Sequence, residues 1–378
     1  MRRSSFVGFL LPISQCLTLM LTPGLVLSQP STVVSAELGQ APIFIPGKTF
    51  QVSQPWPQPK AASVISVNPF NRYQVSLLYL NQYLAQSTVV NGWAGSISPC
   101  NAGSTAQAFQ DATINRVNLY RALAGLPGNI SQFSGGSQQT DDQQAALMFV
   151  ANQTLSHTPP SGWICYTAAG ATGAGNSNIT LGYGVGYNYD GPNAVDGYMD
   201  DSGNNNTGVG HRRWILFPPQ AQMADGDVDS TATTSNYSSD ALWVFGPWGT
   251  RAPAANGIPW PPRGYIPWQL LPSGSMRWSL SLQNANFSGA TVSMNRNGVP
   301  LSVSIEPFEY NGQPSGSFIG DNTIAWIPTG ATYTQPTQDV VYAITVSGIT
   351  GSGVPASVSY TVTVIDPDDA IFANGFEP

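Results

Sequence analysis

Asn115-Arg116-Val117-Asn118-Leu119-Tyr120-Arg121-Ala122-Leu123-Ala124-Gly125-Leu126 is the stretch on which the fold turns. Ile114, Val117, Tyr120 and Ala124 share one stripe at helical spacing, Gly125 can take the left-handed C-terminal cap, and Pro127 forbids continuation. The spacing predicts a helix over 106–124. A second is predicted over 140–156, where Thr140 and Gln143 read as a capping box and Asp141 and Asp142 suit the positive end of the helix dipole. Leu147, Val150, Ala151 and Leu155 form its apolar face, and His157 closes it. Upstream, the apolar residues between Arg72 and Leu84 predict a shorter helix.

Downstream the pattern changes twice. A Gly/Asn/Ser-rich stretch over 168–206 predicts an interruption of regular structure, followed by Trp214-Ile215-Leu216-Phe217 and a short strand over 241–245. Trp243, Trp248, Trp260, Trp268 and Trp278 then lie among prolines; they read either as stacking platforms for sugars or as a connector packed against its neighbours. From 276 to 366 alternating β-branched segments (290–294, 301–305, 340–346 and 357–365) with turns such as Asn297-Gly298 predict an Ig-like antiparallel β-sandwich.

Composition excludes whole classes of partner. Only 9% of the 378 residues are charged, and the 13 basic residues include two lysines, Lys48 and Lys60, at a net charge of -7. Nucleic-acid binding requires clustered Lys and Arg to displace counterions, and no cluster exists. With 42% hydrophobic and 11% aromatic residues, real cores are expected rather than disorder.

Arg2 and Arg3 before the apolar run Phe6 to Leu27, with Ser28 at its end, have the layout of a secretory signal peptide over 1–28; an uncleaved anchor is the alternative. No second apolar run of spanning length follows, so the mature chain is expected to lack a transmembrane segment. Export leaves Cys100 and Cys165, which can pair in an oxidising compartment; two buried thiols are the alternative. A Pro/Gln/Ser-rich lead-in occupies 29–69, and a short tail 367–378.

The chain has two histidines, His157 and His211. His211 lies in Thr207-Gly208-Val209-Gly210-His211-Arg212-Arg213-Trp214, after the carboxylate pair Asp200 and Asp201. In this order, the 115–126 stretch, a helix leading to His157, and Gly208-Val209-Gly210-His211 resemble the CAP superfamily, the group of cysteine-rich secretory, antigen 5 and pathogenesis-related proteins. On that alignment Asp201 stands in for a family glutamate, while Ser177, in Asn176-Ser177-Asn178-Ile179, replaces the glutamate of the family's Gly-Glu-Asn turn.

The resemblance covers about 70–247 and implies an α+β fold. It would be a CAP-type α-β-α sandwich, joined by the Pro/Trp-rich connector 248–275 to the C-terminal sandwich. It also implies a cleft shared by His157 and His211, with Asp200, Asp201 and Ser177 nearby, able in related members to hold Zn2+ or another divalent metal. Two neutral imidazoles, a carboxylate and a water would form an acceptable zinc shell if they converge. A Ser177–histidine nucleophile is conceivable but lacks a strained nucleophile turn. Arg212 and Arg213 could pair with Asp200, Asp201 or an anionic ligand. The expected function is extracellular or periplasmic binding of a small-molecule, lipid or cell-surface ligand. A metal-assisted hydrolase acting on protein or cell-wall material is the competing class. The sandwich as the functional part is a third.

Overall fold

The computed structural model describes residues 35–45, 64–133, 136–232, 235–307, 319–331 and 333–369, all within one unit spanning 33–378. The expected signal peptide, the lead-in over 29–34 and 46–63, and the tail beyond 369 lie outside the described residues. Helix α1 (Arg72–Leu78) starts where the Asn71 side chain accepts from the Gln74 N–H at 3.1 Å, and it runs on through a π-helical turn at Tyr79–Tyr83.

Helix α2 spans Gln107–Leu123, within one residue of the predicted bounds. Its polar side chains do not face water: Arg116, Asn118 and Arg121 are as buried as Val117 and Leu119. Asn118 donates to the Ile130 carbonyl at 2.9 Å and accepts from the Ile130 N–H at 2.7 Å. Arg121 donates to the carbonyls of Pro127, Ile215 and Phe217. Arg116 pairs with Asp196 at 2.5 Å and lies 3.6 Å from the Tyr83 ring centroid. Buried guanidinium groups persist because their donors are used.

Helix α3 (Gln138–Asn152) begins two residues before the predicted start, and the Ser137 hydroxyl, rather than Thr140, meets its first turn by donating to Asp141. Gln153 is left-handed and ends it early, so His157 lies beyond the helix in an irregular turn. The stretch 168–206, expected to lack regular structure, instead carries α4 (Ala168–Asn176), β3 (Ser177–Tyr183) and α5 (Gly191–Asp200). Small residues serve close packing there: a Cβ on Gly173 would lie 2.4 Å from the Asp141 carbonyl oxygen, so α4 can sit directly on α3. Helix α6 (Gly210–Ile215) follows and carries His211.

With β1 (Ser35–Leu38), β2 (Ser131–Gln132), β4 (Gln222–Val228) and β5 (Tyr237–Trp243), strand β3 forms a sheet ordered β1-β3-β5-β4-β2, antiparallel except for β2–β4. Strand alternation assigns its two faces. Ile179, Leu181, Val228 and Ala241 pack with Ala145, Phe149 and Ala174 of α3 and α4. Met223 and Leu242 belong to the cluster of Ile114, Val195 and Tyr198 from α2 and α5. The sheet thus lies between helical layers, and the fold is α+β.

The C-terminal part comprises β6 (Ile258–Trp260), β7 (Gly264–Pro267), β8 (Trp278–Ser281), β9 (Thr291–Arg296), β10 (Val299–Leu301), β11 (Val303–Ile305), β12 (Thr323–Pro328), β13 (Val340–Ser347) and β14 (Ser357–Ile365). They form two sheets, β10-β9-β13-β14-β7 and β11-β12-β8-β6, with the Trp278 and Tyr342 rings meeting at 5.1 Å between them. Asn297 and Gly298 both take positive φ in the β9–β10 hairpin. Strands β6 and β7 come from the stretch expected as a connector, and β7 pairs in parallel with β14. Both are edge strands, the one place where a proline lacking its N–H is tolerated. Trp260 and Trp278 are fully buried and offer no stacking face for sugars. Among the described residues no helix is long and apolar enough to cross a membrane.

Candidate functional site

His211 is held from three sides. Asp201 ends α5 in the left-handed conformation (φ 56°), which turns its side chain back towards α6. One carboxylate oxygen accepts from His211 Nδ1 at 2.8 Å and the other from the Arg212 N–H at 3.1 Å, with both side chains at zero exposure. The Tyr198 ring stacks on the imidazole at 5.4 Å between centroids. Asn178 of β3 donates to the His211 carbonyl at 3.2 Å. Nδ1 is committed to Asp201, and Nε2 is buried with no hydrogen-bond partner among the described residues.

His157 is built differently. Both ring nitrogens face main-chain carbonyls, Nδ1 that of Ala174 and Nε2 that of Gln40, each at 2.5 Å. Burial pushes its pKa below the usual imidazole value, against the opposing pull of the two carbonyls. A cleft of about 960 Å³ opens beside His157, lined by Asp141, Thr158, Thr172, Phe44 and Phe245.

The remaining expected residues do not converge on the histidines. Asp200 accepts from the Gly274 and Ser275 N–H groups at 3.1 and 3.0 Å, and burial raises its pKa. Ser177 donates to Asp142 at 2.7 Å on the α3 face of β3, while the next residue, Asn178, meets His211 from the other face. No Ser177–histidine pair forms. The Arg212 side chain donates to the carbonyls of Met199, Asp200 and Arg277 and to the Ser279 hydroxyl rather than to the Asp200 or Asp201 carboxylate. Arg213 donates to the Asp321 carbonyl at 2.9 Å. Neither arginine waits for an anion in this arrangement.

The zinc shell expected of His157, His211 and Asp201 requires a free nitrogen lone pair from each ring and a free carboxylate. His157 directs both nitrogens at carbonyls, and Asp201 is shared between His211 and Arg212. The residues as arranged do not fit that group. Among the described residues, no group of three or more His, Cys, Asp or Glu is placed to hold a metal ion.

Sequence reasoning missed a set of buried acids. Asp225 and Asp227 of β4 and Asp240 of β5 face the α2/α5 layer, with Asp227 directly opposite Asp240. Tyr198 donates to Asp240 at 2.5 Å, the Gly191 N–H donates to Asp227 at 2.7 Å, and Asn91 donates to Asp190, which precedes α5, at 2.7 Å. Burial drives the pKa of each of these four acids upwards, and that of Asp142 likewise. The signal was present: acids at alternate positions of 222–228 place carboxylates on one face of a strand.

Cys100 and Cys165 are disulfide-bonded, joining the approach to α2 with the segment after His157. No family model matches the chain, and no curated protein matches it. Among solved structures, the copper resistance protein PcoC of Escherichia coli is similar over 28% of this chain and 94% of its own, at 14% sequence identity and a TM-score of 0.19, too slight a likeness to carry any argument.

Proposed function

We propose that this chain is a secreted protein with a CAP-like α+β domain that binds an external ligand at the cleft beside His157. Metal-assisted hydrolysis is the weaker reading. One observation carries the choice: the cleft of about 960 Å³ is bordered by an imidazole whose two nitrogens are already engaged. With each ring nitrogen set against a main-chain carbonyl, the ring shapes a surface in this arrangement rather than meeting a metal or a substrate proton. The apolar contribution of Phe44 and Phe245, set against Asp141 and Thr172, is the mixture typical of a small-ligand site. The Cys100–Cys165 bond supports an oxidising, extracytoplasmic setting.

Two titrations test the reading. Nile red should gain fluorescence saturably with the wild-type chain and lose that gain in Thr172→Trp, whose indole fills the cleft from an exposed position. Zinc added to the same protein should show no stoichiometric site. One zinc per chain, lost in both His157→Ala and His211→Ala and accompanied by chelator-sensitive turnover of casein or peptidoglycan, would restore the hydrolase.

A further inference from the structure

The two histidines are spanned by the chain's own N-terminal segment. Strand β1 pairs with the outer edge of β3 in the register Ser35↔Tyr183 to Leu38↔Thr180, and the Gly39 N–H continues the ladder to the Ile179 carbonyl at 3.2 Å. From there side chains take up alternate main-chain carbonyls. Asn205 donates to the Leu38 carbonyl at 3.3 Å, His157 Nε2 meets the Gln40 carbonyl, and Trp214 Nε1 donates to the Pro42 carbonyl at 2.8 Å.

Leu38, Ala41 and Pro42 are buried, and the Phe44 ring packs edge-on against Phe245 and Trp248 at 5.5 and 4.8 Å. Ile43 and Ile45 between and beyond them stay exposed, at 45% and 43%. Edge-strand addition followed by carbonyl capture is a general way of binding an extended peptide. The fit at Ala41 is restrictive: a Cβ on Gly210, the neighbour of His211, would lie 2.4 Å from the Ala41 Cβ.

We propose that residues 35–45 are an internal occupant of a groove that takes an extended polypeptide, so that the free protein blocks its own site until that segment is displaced. This rests on the reading of the His157 face as a binding surface. Main-chain capture makes the groove tolerant of sequence, whereas the Gly210 floor and the Phe245–Trp248 wall select a small residue followed, three positions on, by an aromatic one. Displacement would also release His157 Nε2 from its carbonyl, so occupancy of the groove sets whether that nitrogen is available.

The test uses the full chain and a fluorescein-labelled peptide with the sequence of residues 35–45, read by anisotropy. Ala41→Arg forces a guanidinium against Gly210 and should expel the internal segment. The labelled peptide should then bind the variant at least tenfold more tightly than the wild type, because self-occupancy multiplies the apparent affinity by the small open fraction. Phe44→Ala, which removes a half-exposed ring, provides the same comparison should Ala41→Arg not fold. A peptide carrying the Ala41→Arg change should bind neither protein. Equal binding to wild type and variants overturns the proposal. So does no peptide binding to any of them while Nile red still fills the cleft, and the binding reading then stands. If neither peptide nor Nile red binds, both fall.

Discussion

Asp201 is the residue whose replacement separates backbone from hydrogen bonding most cleanly. Its carboxylate accepts from two buried donors, His211 Nδ1 at 2.8 Å and the Arg212 N–H at 3.1 Å, from a backbone at φ 56°. In Asp201→Ala both donors lose their acceptor in a site without water access, at about 1–3 kcal/mol each. The left-handed backbone adds about 1 kcal/mol for an alanine. The sum is about 5 kcal/mol, against about 4 for Asp201→Gly, which relieves the backbone but not the donors. Asp201→Asn keeps one acceptor oxygen and tolerates the conformation, so about 2 kcal/mol is expected.

The order Asn, Gly, Ala should appear in urea midpoints at pH 7 followed by tryptophan fluorescence. The ring offers a second readout, since the chain has only two histidines and their nitrogen resonances separate readily by NMR. His211 Nδ1–H should shift strongly in Asp201→Ala and little in Asp201→Asn, while the His157 resonances stay in place. Equal destabilisation by all three substitutions, or a cost below about 1 kcal/mol for alanine, would refute the assignment of the carboxylate as the histidine's partner.

Three other outcomes follow from the same geometry. Asp142, Asp190, Asp225, Asp227 and Asp240 have pKa values raised by burial, so their contribution to stability is complete below the unfolded carboxyl value of about 4 and is lost as pH rises through the folded values. The urea midpoint should therefore fall from pH 4 towards pH 8, and Asp225→Asn should flatten that slope; a midpoint that climbs over this range contradicts it. Replacing Cys100 and Cys165 by serine opens a loop with a sequence separation of 65, worth about 4 kcal/mol in the chain-entropy model, and calorimetry should show a correspondingly lower Tm. Arg212→Met strands three carbonyls and the Ser279 hydroxyl while removing a buried charge, and should cost about 3–5 kcal/mol in the same denaturation assay; a neutral result would mean that the apolar replacement repacks the site.

The parts of the fold legible in the sequence are those where one periodicity dominates. Helix α2 and strands β13 and β14 fall where their apolar spacing places them, and Asn297-Gly298 makes the turn that its residues favour. Helix α4 escaped because its glycines and alanines, poor signals in composition, are used where it meets the α3 backbone, and α5 because Gly191 and Gly197 make room for the Phe109 and Tyr189 rings. Strands β6 and β7 escaped because prolines conceal a strand unless it is known to be an edge. At the site, the resemblance grouped His157, His211, Asp200, Asp201 and Ser177 in one cleft, and of these His211 and Asp201 are hydrogen-bonded to each other. It could not foresee that Gln40, 117 positions before His157, would supply that ring's second partner, since no local pattern encodes a carbonyl arriving from so far away.

Arg212 and Arg277 have a consequence for how this protein can be divided. The two guanidinium groups cross between the helical part and the β-strands: Arg212 reaches the Arg277 carbonyl and the Ser279 hydroxyl, and Arg277 returns to the Asp201 carbonyl at 3.0 Å and to Glu306. A cut near 275, which the tryptophan- and proline-rich sequence invites, would sever these ties one residue from His211 and leave buried cations facing water on a raw surface. Swapping either half into another protein would meet the same difficulty. Any assignment of activity by dissection would measure the damage of the cut.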